Sequence, residues 1–315
     1  MLPKRYQILP FSIPFVMPEF HFHKKPDDKT LALENIDCEL WFDQFAELVK
    51  SAIEKRYYLP ICRLSDGEFS FLVGKQKPFY RSSIKRNVVG FFSKIKDIFE
   101  NSKDFEAGEV GLYKSGTYSQ KERKEILGIY LKNLKTLSEH GILALHLSYI
   151  KVPFQERFFP AIKSLFDKEG IVLTNQNYFP FYFVYGLVTG SKRKEILKNR
   201  RVLIIHSAEG KKRQSIENSL INEGVIEVFW FQISNDRSMF DSIDVEKFKD
   251  EVDIVFVGAG IGKPNILVQL KVLNVPCIDL GYIFEVWADS SKKFDRAGCA
   301  SDKDWELKSN LIKNN

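Results

Sequence analysis

The sequence predicts an α/β fold of the Rossmann-like type, with a mostly parallel sheet flanked by helices, as a single large domain with an N-terminal arm. Short apolar runs recur along the chain, and helical or loop segments separate nearly all of them. This alternation is typical of parallel strands joined by helical crossovers. The runs are continuously apolar rather than alternating, which indicates strands that are buried on both faces.

The predicted elements begin with a helix over residues 39–56, where apolar residues recur at helical spacing. Predicted strands coincide with the apolar runs, at residues 58–64, 110–113, 142–147, 171–173, 202–205, 226–231, 253–257 and 276–280. The predicted helices between them cover residues 120–137, 154–168, 211–223 and 264–273. Residues 179–188 are aromatic and apolar all round, which favours a buried helix over a membrane-facing patch.

The two ends of the chain differ from this pattern. Prolines break up residues 1–35, which we predict to be an extended arm, and residues 291–315 read as a polar tail to a domain over 36–290. No stretch reaches about 18 uninterrupted apolar residues, and the N-terminus shows no small-residue cleavage signal. We expect a cytoplasmic protein, with peripheral association at the inner face of a membrane as an alternative.

The charge and cysteine content of the chain indicate which binding partners and which cellular compartment to expect. Lys and Arg number 47 against 41 Asp and Glu, and this net charge of +6 is spread along the chain. A dedicated nucleic-acid binder is therefore not indicated, whereas anionic small molecules are suitable partners. The basic runs 192–194 and 211–213 favour solvated helix surface over contact with lipid or nucleic acid. The four cysteines are far apart and form no CxxC pair, which indicates a reducing compartment.

Candidate site residues are sought just beyond the end of each apolar run. In an open parallel sheet, ligands bind beyond the carboxyl ends of the strands. The residues at these positions are mostly polar and compatible with one site: 63, 66–68, 114–116, 146–149, 175–177, 206–207, 258–263 and 279–282.

The triplet Asp66-Gly67-Glu68 places two carboxylates two residues apart. On an extended segment both can turn to one side, where Mn²⁺ or Mg²⁺ held by carboxylates would complete its shell with water and phosphate oxygens. The alternative is an ordinary polar turn, in which Asp66 or Ser65 caps the next helix. Arg63, just before the triplet, could pair with a diphosphate or hold Asp66 in place.

A glycine-rich segment, Gly258-Ala259-Gly260-Ile261-Gly262-Lys263, lies between a predicted strand and a predicted helix. Its glycines could expose backbone N–H groups to a phosphate, and Lys263 adds a cation. The spacing GxGxG differs from the dinucleotide fingerprint, and Val257 and Pro264 depart from the P-loop pattern. The alternative is a tight strand-to-helix turn that binds no ligand.

Two histidines lie in predicted strands or at their ends. His206 ends the run 202–205, and His146 lies inside another run. Either could act as a base, although a hydrogen-bonded structural histidine is the alternative for both. The pair His21 and His23 shows no third ligand, so zinc is not indicated. The sequence contains neither a GxSxG elbow nor an HExxH helix, so serine hydrolase and zincin chemistry lose their usual support.

Three segments together resemble the GT-D-type glycosyltransferases: residues 63–69, residues 258–263 and residues 277–281. In that family an Arg-x-Gly-Asp-Gly-Glu segment supplies a metal-binding DxE, a late glycine-rich loop faces the nucleotide sugar, and an Asp-x-Gly segment comes next. Order and approximate spacing match over residues 58–288. Ser65 stands where the family has glycine, and Tyr282 where many members have histidine. Residues 175–178 and 206–209 occupy the region of the family's donor-binding segments and do not match them.

The resemblance implies a metal-dependent glycosyltransferase of polysaccharide biosynthesis. It would transfer a sugar from a nucleoside-diphosphate sugar, with a UDP-sugar as the first candidate, to a glycan, glycolipid or glycoprotein acceptor. Asp66 and Glu68 would hold Mn²⁺ or Mg²⁺. The donor would be bound by Arg63, Gly67, Gly258, Gly260, Gly262 and Lys263. The candidates for the base that takes the acceptor proton are, in falling order, Asp279, His206 and Glu285.

Two other functions remain open at this point. The chain could be a non-catalytic protein that binds a sugar nucleotide or a glycan within a biosynthetic assembly, which the unmatched middle segments favour. It could also be another nucleotide-dependent enzyme on a Rossmann-like sheet, such as a dehydrogenase or a methyltransferase.

Overall fold

A computed structural model describes residues 38–73, 120–145, 161–173 and 177–294, apart from positions 163 and 191. Several predictions lie outside these residues: the arm over 1–35, the strand at 110–113, the polar segments at 114–116 and 146–149, and most of the tail. In the described chain, no helix is long and apolar enough to cross a membrane.

The strands are β1 Leu59–Leu64, β2 Ile142–Leu145, β3 Tyr178–Pro180, β4 Arg201–His206, β5 Glu227–Gln232, β6 Ile254–Gly258 and β7 Pro276–Asp279. The α-helices are α1 Cys38–Lys55, α2 Asp66–Val73, α3 Gln120–His140, α4 Phe181–Thr189, α5 Arg193–Leu197, α6 Gly210–Asn222, α7 Lys263–Gln269 and α8 Ile283–Ala288. Residues 161–162 and 164–169 are also helical. Single 3-10 turns cover Ser238–Phe240, Glu246–Phe248, Gly260–Gly262, Leu270–Leu273 and Ser290–Phe294.

The seven strands of the described residues form one sheet in the order β3-β2-β1-β7-β6-β4-β5, and every pairing in it is parallel. Every residue of β1, β2 and β7 is buried. This is the burial expected of strands covered by helices on both faces. The predicted α/β fold with a parallel sheet is therefore confirmed.

The order of the strands places the connecting helices on opposite faces. The connection from β4 to β5 moves away from β1, whereas the connection from β6 to β7 moves towards it. Because crossovers between parallel strands are right-handed, α6 and α7 lie on opposite faces of the sheet. The carboxyl ends of β4 and β6, which are direct neighbours, therefore border a crevice of the kind where α/β proteins bind ligands.

The predicted strand over Ile171–Leu173 is wrong. Val172 is 64% exposed, and its carbonyl accepts a hydrogen bond from Asn177 Nδ2 rather than from a neighbouring strand. Tyr178–Pro180 takes the place beside β2 instead. A three-residue apolar run is too short for its composition to distinguish a strand from a buried turn.

The aromatic segment predicted as one buried helix divides in two. Its first residues belong to β3, and the helix α4 begins after Pro180. Proline fits this boundary because it cannot donate a hydrogen bond within a helix. Phe183 packs against Phe42 and Phe45 of α1, with ring centroids 5.3 and 6.0 Å apart. The described side chains of α4 are buried apart from the half-buried Thr189, as predicted.

Candidate functional site

Four charged side chains meet at the carboxyl edge of the central strands. Arg63 lies at the end of β1, Glu68 in the first turn of α2, Lys263 at the start of α7 and Asp279 at the end of β7. We call these four residues the charged quartet. They are only 1–6% exposed, so they lie beneath the edge rather than on it. The sequence pattern indicates all four as candidates, and the fold brings them together.

Lys263 is the centre of the charged quartet. Its Nζ lies 2.6 Å from Glu68 Oε1 and 3.1 Å from Asp279 Oδ2. It also donates a hydrogen bond of 2.9 Å to the carbonyl oxygen of Arg63. An ammonium has three N–H donors, and three oxygens here receive them.

Arg63 is fixed by Asp279 and by a tyrosine. Its Nε donates to the carbonyl oxygen of Asp279 at 2.8 Å, and Nη2 donates to the Asp279 carboxylate at 3.4 Å. Its Nη1 donates to the hydroxyl of Tyr185 at 2.7 Å. Three of the five guanidinium N–H groups are thereby engaged among the described residues. Among the described residues, the other two N–H groups of Arg63 have no hydrogen-bond partner, and an anionic ligand could use them.

Glu68 closes the first turn of α2. Its Oε2 accepts hydrogen bonds from the backbone N–H of Ser65 at 2.8 Å and from the Ser65 hydroxyl at 3.0 Å. A glutamate at the third helical position that reaches back to the residue before the helix forms a capping box. The expectation of an extended Asp66-Gly67-Glu68 segment is therefore wrong, since the triplet is the first turn of a helix. Positions two apart on a helix do not face the same side.

The contacts of Glu68 decide whether its oxygens are available for the predicted Mn²⁺ or Mg²⁺ site. Both oxygens of Glu68 are engaged, one by Lys263 and the other by Ser65. Among the described side chains, no group of three or more His, Cys, Asp or Glu residues is placed to hold a metal ion. The side chain of Asp66 lies outside the described part of the chain. The described donor set does not fit a divalent cation, because its cation position already holds an ammonium.

The charged quartet has two positive and two negative members, and their proximity shifts the pKa values of Glu68, Lys263 and Arg63. Burial alone would raise the pKa of Glu68, but the Lys263 ammonium and the hydrogen bonds to Glu68 lower it below 4.5. Burial alone would lower the pKa of Lys263 and of Arg63, but the carboxylates of Asp279 and Glu68 raise both. Glu68, Lys263 and Arg63 are therefore charged at neutral pH, and each of these charges is stabilised by its oppositely charged neighbours.

Comparison with known proteins assigns the chain to no family. Family models, curated proteins and solved structures give no match. The resemblance to GT-D-type glycosyltransferases thus stays a prediction, carried by the three sequence segments.

The predicted glycine-rich loop is a compact turn in which packing explains two of the glycines. A Cβ at Gly258 would overlap His206 and lie 2.6 Å from Phe284, and a Cβ at Gly262 would overlap Ser238. Gly260 has φ +51°, which favours glycine. Ser238 Oγ donates to the carbonyl of Ala259 at 2.8 Å and fixes the turn from outside. Tight packing therefore accounts for Gly258 and Gly262 without a ligand.

His206 lies beside this loop, because β4 pairs with β6 and His206 is opposite Gly258. Its Nδ1 accepts a 2.7 Å hydrogen bond from the backbone N–H of Ala208. Burial, together with the nearby Lys212, lowers the pKa of His206 to about 4. The neutral ring therefore carries its proton on Nε2, and at pH 7 it is a hydrogen-bond donor rather than a ready base.

The third base candidate, Glu285, is the most accessible. Its side chain is 33% exposed and forms ion pairs with Lys212 and Lys292. Burial would raise the pKa of Glu285, but these two lysines lower it. By contrast, Asp279 is 1% exposed.

Asn177 was predicted to follow a strand, but it precedes β3. It therefore lies at the amino ends of the strands, whereas the charged quartet lies at their carboxyl ends. Its Nδ2 donates to the carbonyls of Ser138 and Val172. Asn177 therefore has a structural role.

Sequence reasoning missed Tyr185 as a partner of Arg63, and it considered Ser65 as a helix cap without the bonds that Ser65 donates to Glu68. Tyr185 was included only in an apolar helix, yet a buried tyrosine needs a partner for its hydroxyl, and this was the available signal. The pattern Ser65-x-x-Glu68 was the signal for the capping box.

Proposed function

We propose that this protein is a glycosyltransferase that uses a nucleoside-diphosphate sugar, with a UDP-sugar as the first donor to test. The acceptor class is a glycan, a glycolipid or a glycoprotein. The observation that carries the proposal is the meeting of Arg63, Glu68, Lys263 and Asp279 at one edge of the sheet. Residues from the first and the last of the segments that carry the resemblance, 63–69 and 277–281, are adjacent there. A donor site shared by these segments requires such proximity.

The donor would lie along the carboxyl edge between the charged quartet and His206. The ends of β7 and β4 are separated by β6, so two strand spacings, about 10 Å, divide Asp279 from His206. A nucleoside diphosphate has the length to reach from one to the other. Arg63, with donor capacity left, would bind phosphate oxygens, and the neutral His206 would donate from Nε2.

Glu285 is the base that this geometry favours for the acceptor proton. Asp279 is enclosed by Arg63 and Lys263, and the His206 Nδ1 lone pair already accepts from Ala208. The Glu285 carboxylate remains partly exposed, and its charge is felt by His206. Its lowered pKa keeps it ionised at neutral pH, which a proton acceptor requires.

The test is UDP release from a panel of UDP-sugars with an acceptor extract, for the wild type, Glu285→Gln, Asp66→Asn and Glu246→Gln. We expect Glu285→Gln to lower turnover by a factor on the order of 10² or more, as general-base removal does. The control Glu246→Gln changes an exposed carboxylate on a 3-10 turn and should leave turnover intact. Equal turnover in wild type and Asp66→Asn would remove the DxE triplet from the mechanism.

A thermal-shift screen with UDP, NAD and S-adenosylmethionine decides whether a nucleotide binds at all, because a ligand that binds the folded state raises its melting temperature. Stabilisation by UDP alone supports the proposal. Stabilisation by NAD or S-adenosylmethionine instead would point to another Rossmann-like enzyme and contradict it.

The enclosure of the charged quartet favours one second candidate. Its members are 1–6% exposed and neutralise one another, as in a structural ion cluster. A non-catalytic sugar-nucleotide-binding protein is consistent with this. It would show UDP-dependent stabilisation with no turnover for any donor and acceptor.

A further inference from the structure

The surroundings of Lys263 Nζ are those of a bound cation. Three oxygens approach it from different chain segments, at 2.6 Å from Glu68, 2.9 Å from the carbonyl of Arg63 and 3.1 Å from Asp279. Two carboxylates and a backbone carbonyl are the oxygen ligands that hard divalent cations take in proteins. Here they surround an ammonium that belongs to the chain itself.

The charges of the charged quartet sum to zero, so no negative charge among the four remains for a metal ion to neutralise. Arg63 and Lys263 contribute two positive charges, and Glu68 and Asp279 contribute two negative charges. Beside Lys263, a divalent cation would bring the summed charge of the cation and these four buried side chains to +2, and an excess of buried positive charge is costly. It would also have to displace the ammonium, since Glu68 has no unengaged oxygen.

We propose that the Lys263 ammonium is the resident cation of this site and takes the place of a divalent metal between Glu68 and Asp279. The wild-type chain then binds no Mn²⁺ or Mg²⁺ through Glu68, and removal of the ammonium exposes a divalent-cation site. As a consequence for catalysis, which rests on the proposed function, sugar transfer proceeds in the presence of EDTA.

Removal of Lys263 has a defined electrostatic result. In Lys263→Ala the remaining three side chains carry a net charge of −1, and the two carboxylates and the Arg63 carbonyl face a vacated position. A divalent cation there would offset the unpaired negative charge. In the double variant Lys263→Ala/Glu68→Gln the charges balance again and one carboxylate is gone, so this variant is the matched control.

The test is a Mn²⁺ titration followed by electron paramagnetic resonance, with thermal unfolding in the presence and absence of Mn²⁺, on the full chain. Four proteins are compared: wild type, Glu68→Gln, Lys263→Ala and the double variant. We expect Lys263→Ala to bind Mn²⁺ on the order of tenfold more tightly than wild type, or more, and to gain melting temperature with Mn²⁺. The double variant should gain neither.

Two outcomes overturn the proposal. One is wild-type Mn²⁺ binding that Glu68→Gln abolishes, because the metal and the ammonium would then share the site. The other is a folded Lys263→Ala protein that acquires no Mn²⁺ binding. If Lys263→Ala does not fold, the comparison of wild type with Glu68→Gln decides alone, and Mn²⁺ binding that is the same in both supports the proposal.

Measurement of sugar transfer with and without EDTA distinguishes a failure of this proposal from a failure of the proposed function. If no donor is turned over under any condition, the glycosyltransferase proposal fails while the Mn²⁺ titration still tests the role of Lys263. If transfer occurs and EDTA stops it, the glycosyltransferase proposal stands and the resident-cation proposal fails.

Discussion

Replacement of Gly281 by alanine tests the packing of the charged quartet directly. Gly281 has φ +48°, a conformation that side chains other than glycine rarely adopt. A Cβ there would overlap Nη2 of Arg63 and lie 3.0 Å from its Cζ. Arg63 cannot swing away freely, because Asp279 and Tyr185 hold its guanidinium. We therefore expect Gly281→Ala to combine backbone strain with the loss of a buried charged hydrogen bond.

The two effects have separate magnitudes. A left-handed conformation costs a residue with a Cβ about 1–2 kcal/mol. A hydrogen bond to a charged group is worth about 1.5–3 kcal/mol, and the contact between Nη2 and the Asp279 carboxylate is the one that the new methyl group would displace. Gly281→Ala should therefore lower the free energy of unfolding by about 2.5–5 kcal/mol.

Two other glycines supply matched controls. Gly210 has φ +52° and nothing within 4 Å of an added Cβ, so Gly210→Ala should cost only the strain, about 1–2 kcal/mol. Gly128 lies inside α3 with nothing within 4 Å, so Gly128→Ala should stabilise by about 0.5–1 kcal/mol through helix propensity.

The assay is urea unfolding of the wild type and the three variants, with the slope m compared as well as the midpoint. A Gly281→Ala protein that loses no more stability than Gly210→Ala would refute the reasoning, because the displacement of Arg63 would then cost nothing. If Gly128→Ala has a lower free energy of unfolding than wild type, replacement of glycine by alanine destabilises this chain even where there is no backbone strain and no overlap.

Three further predictions concern titration and reactivity. The pKa of Glu68 is lower in the folded chain than its ordinary 4.5. The ionised carboxylate therefore stabilises the folded state above pH 4.5, and this contribution is lost as the pH falls through the folded pKa. Urea unfolding at pH 5 and pH 3 should show a smaller loss of unfolding free energy on acidification for Glu68→Gln than for wild type. His206, with its pKa lowered from 6.5 to about 4, should titrate near pH 4 by NMR, and the folded state should lose on the order of 1–3 kcal/mol as the pH falls from 6.5 to 4. A His206→Phe variant should lack this loss. Cys62 and Cys277 are buried thiols whose pKa burial raises, so peptide mass spectrometry should find them unmodified by iodoacetamide until urea unfolds the chain.

The strands could be predicted because burial on both faces leaves a simple pattern. The runs at 202–205, 253–257 and 276–280 were found to within one residue at each end. The run at 171–173 failed because three apolar residues also suit the turn that closes a helix, where the N–H of Ile171 bonds to the carbonyl of Phe166. Local composition therefore located buried strands of as few as four residues and failed on a run of three.

The candidate residues could be predicted, but their mutual pairing could not. Arg63, Glu68, Lys263 and Asp279 were each found at the end of a strand or just beyond one. That Lys263 would bond to Glu68 rather than to a ligand depends on the order of β1, β7 and β6 in the sheet. Strand order is a long-range property that no local pattern carries.

The pairing of β1 with β7 also determines when this chain can fold. Arg63 and Asp279, which meet in the finished sheet, are 216 residues apart in the sequence. At about 5–20 residues per second, a ribosome needs roughly 10 to 40 s to make the intervening chain. Throughout that time β1 has an open edge, and unpaired strand edges invite association with other chains. We therefore expect this chain to fold slowly for its size, because the pairing of β1 with β7 joins residues that are far apart in the sequence.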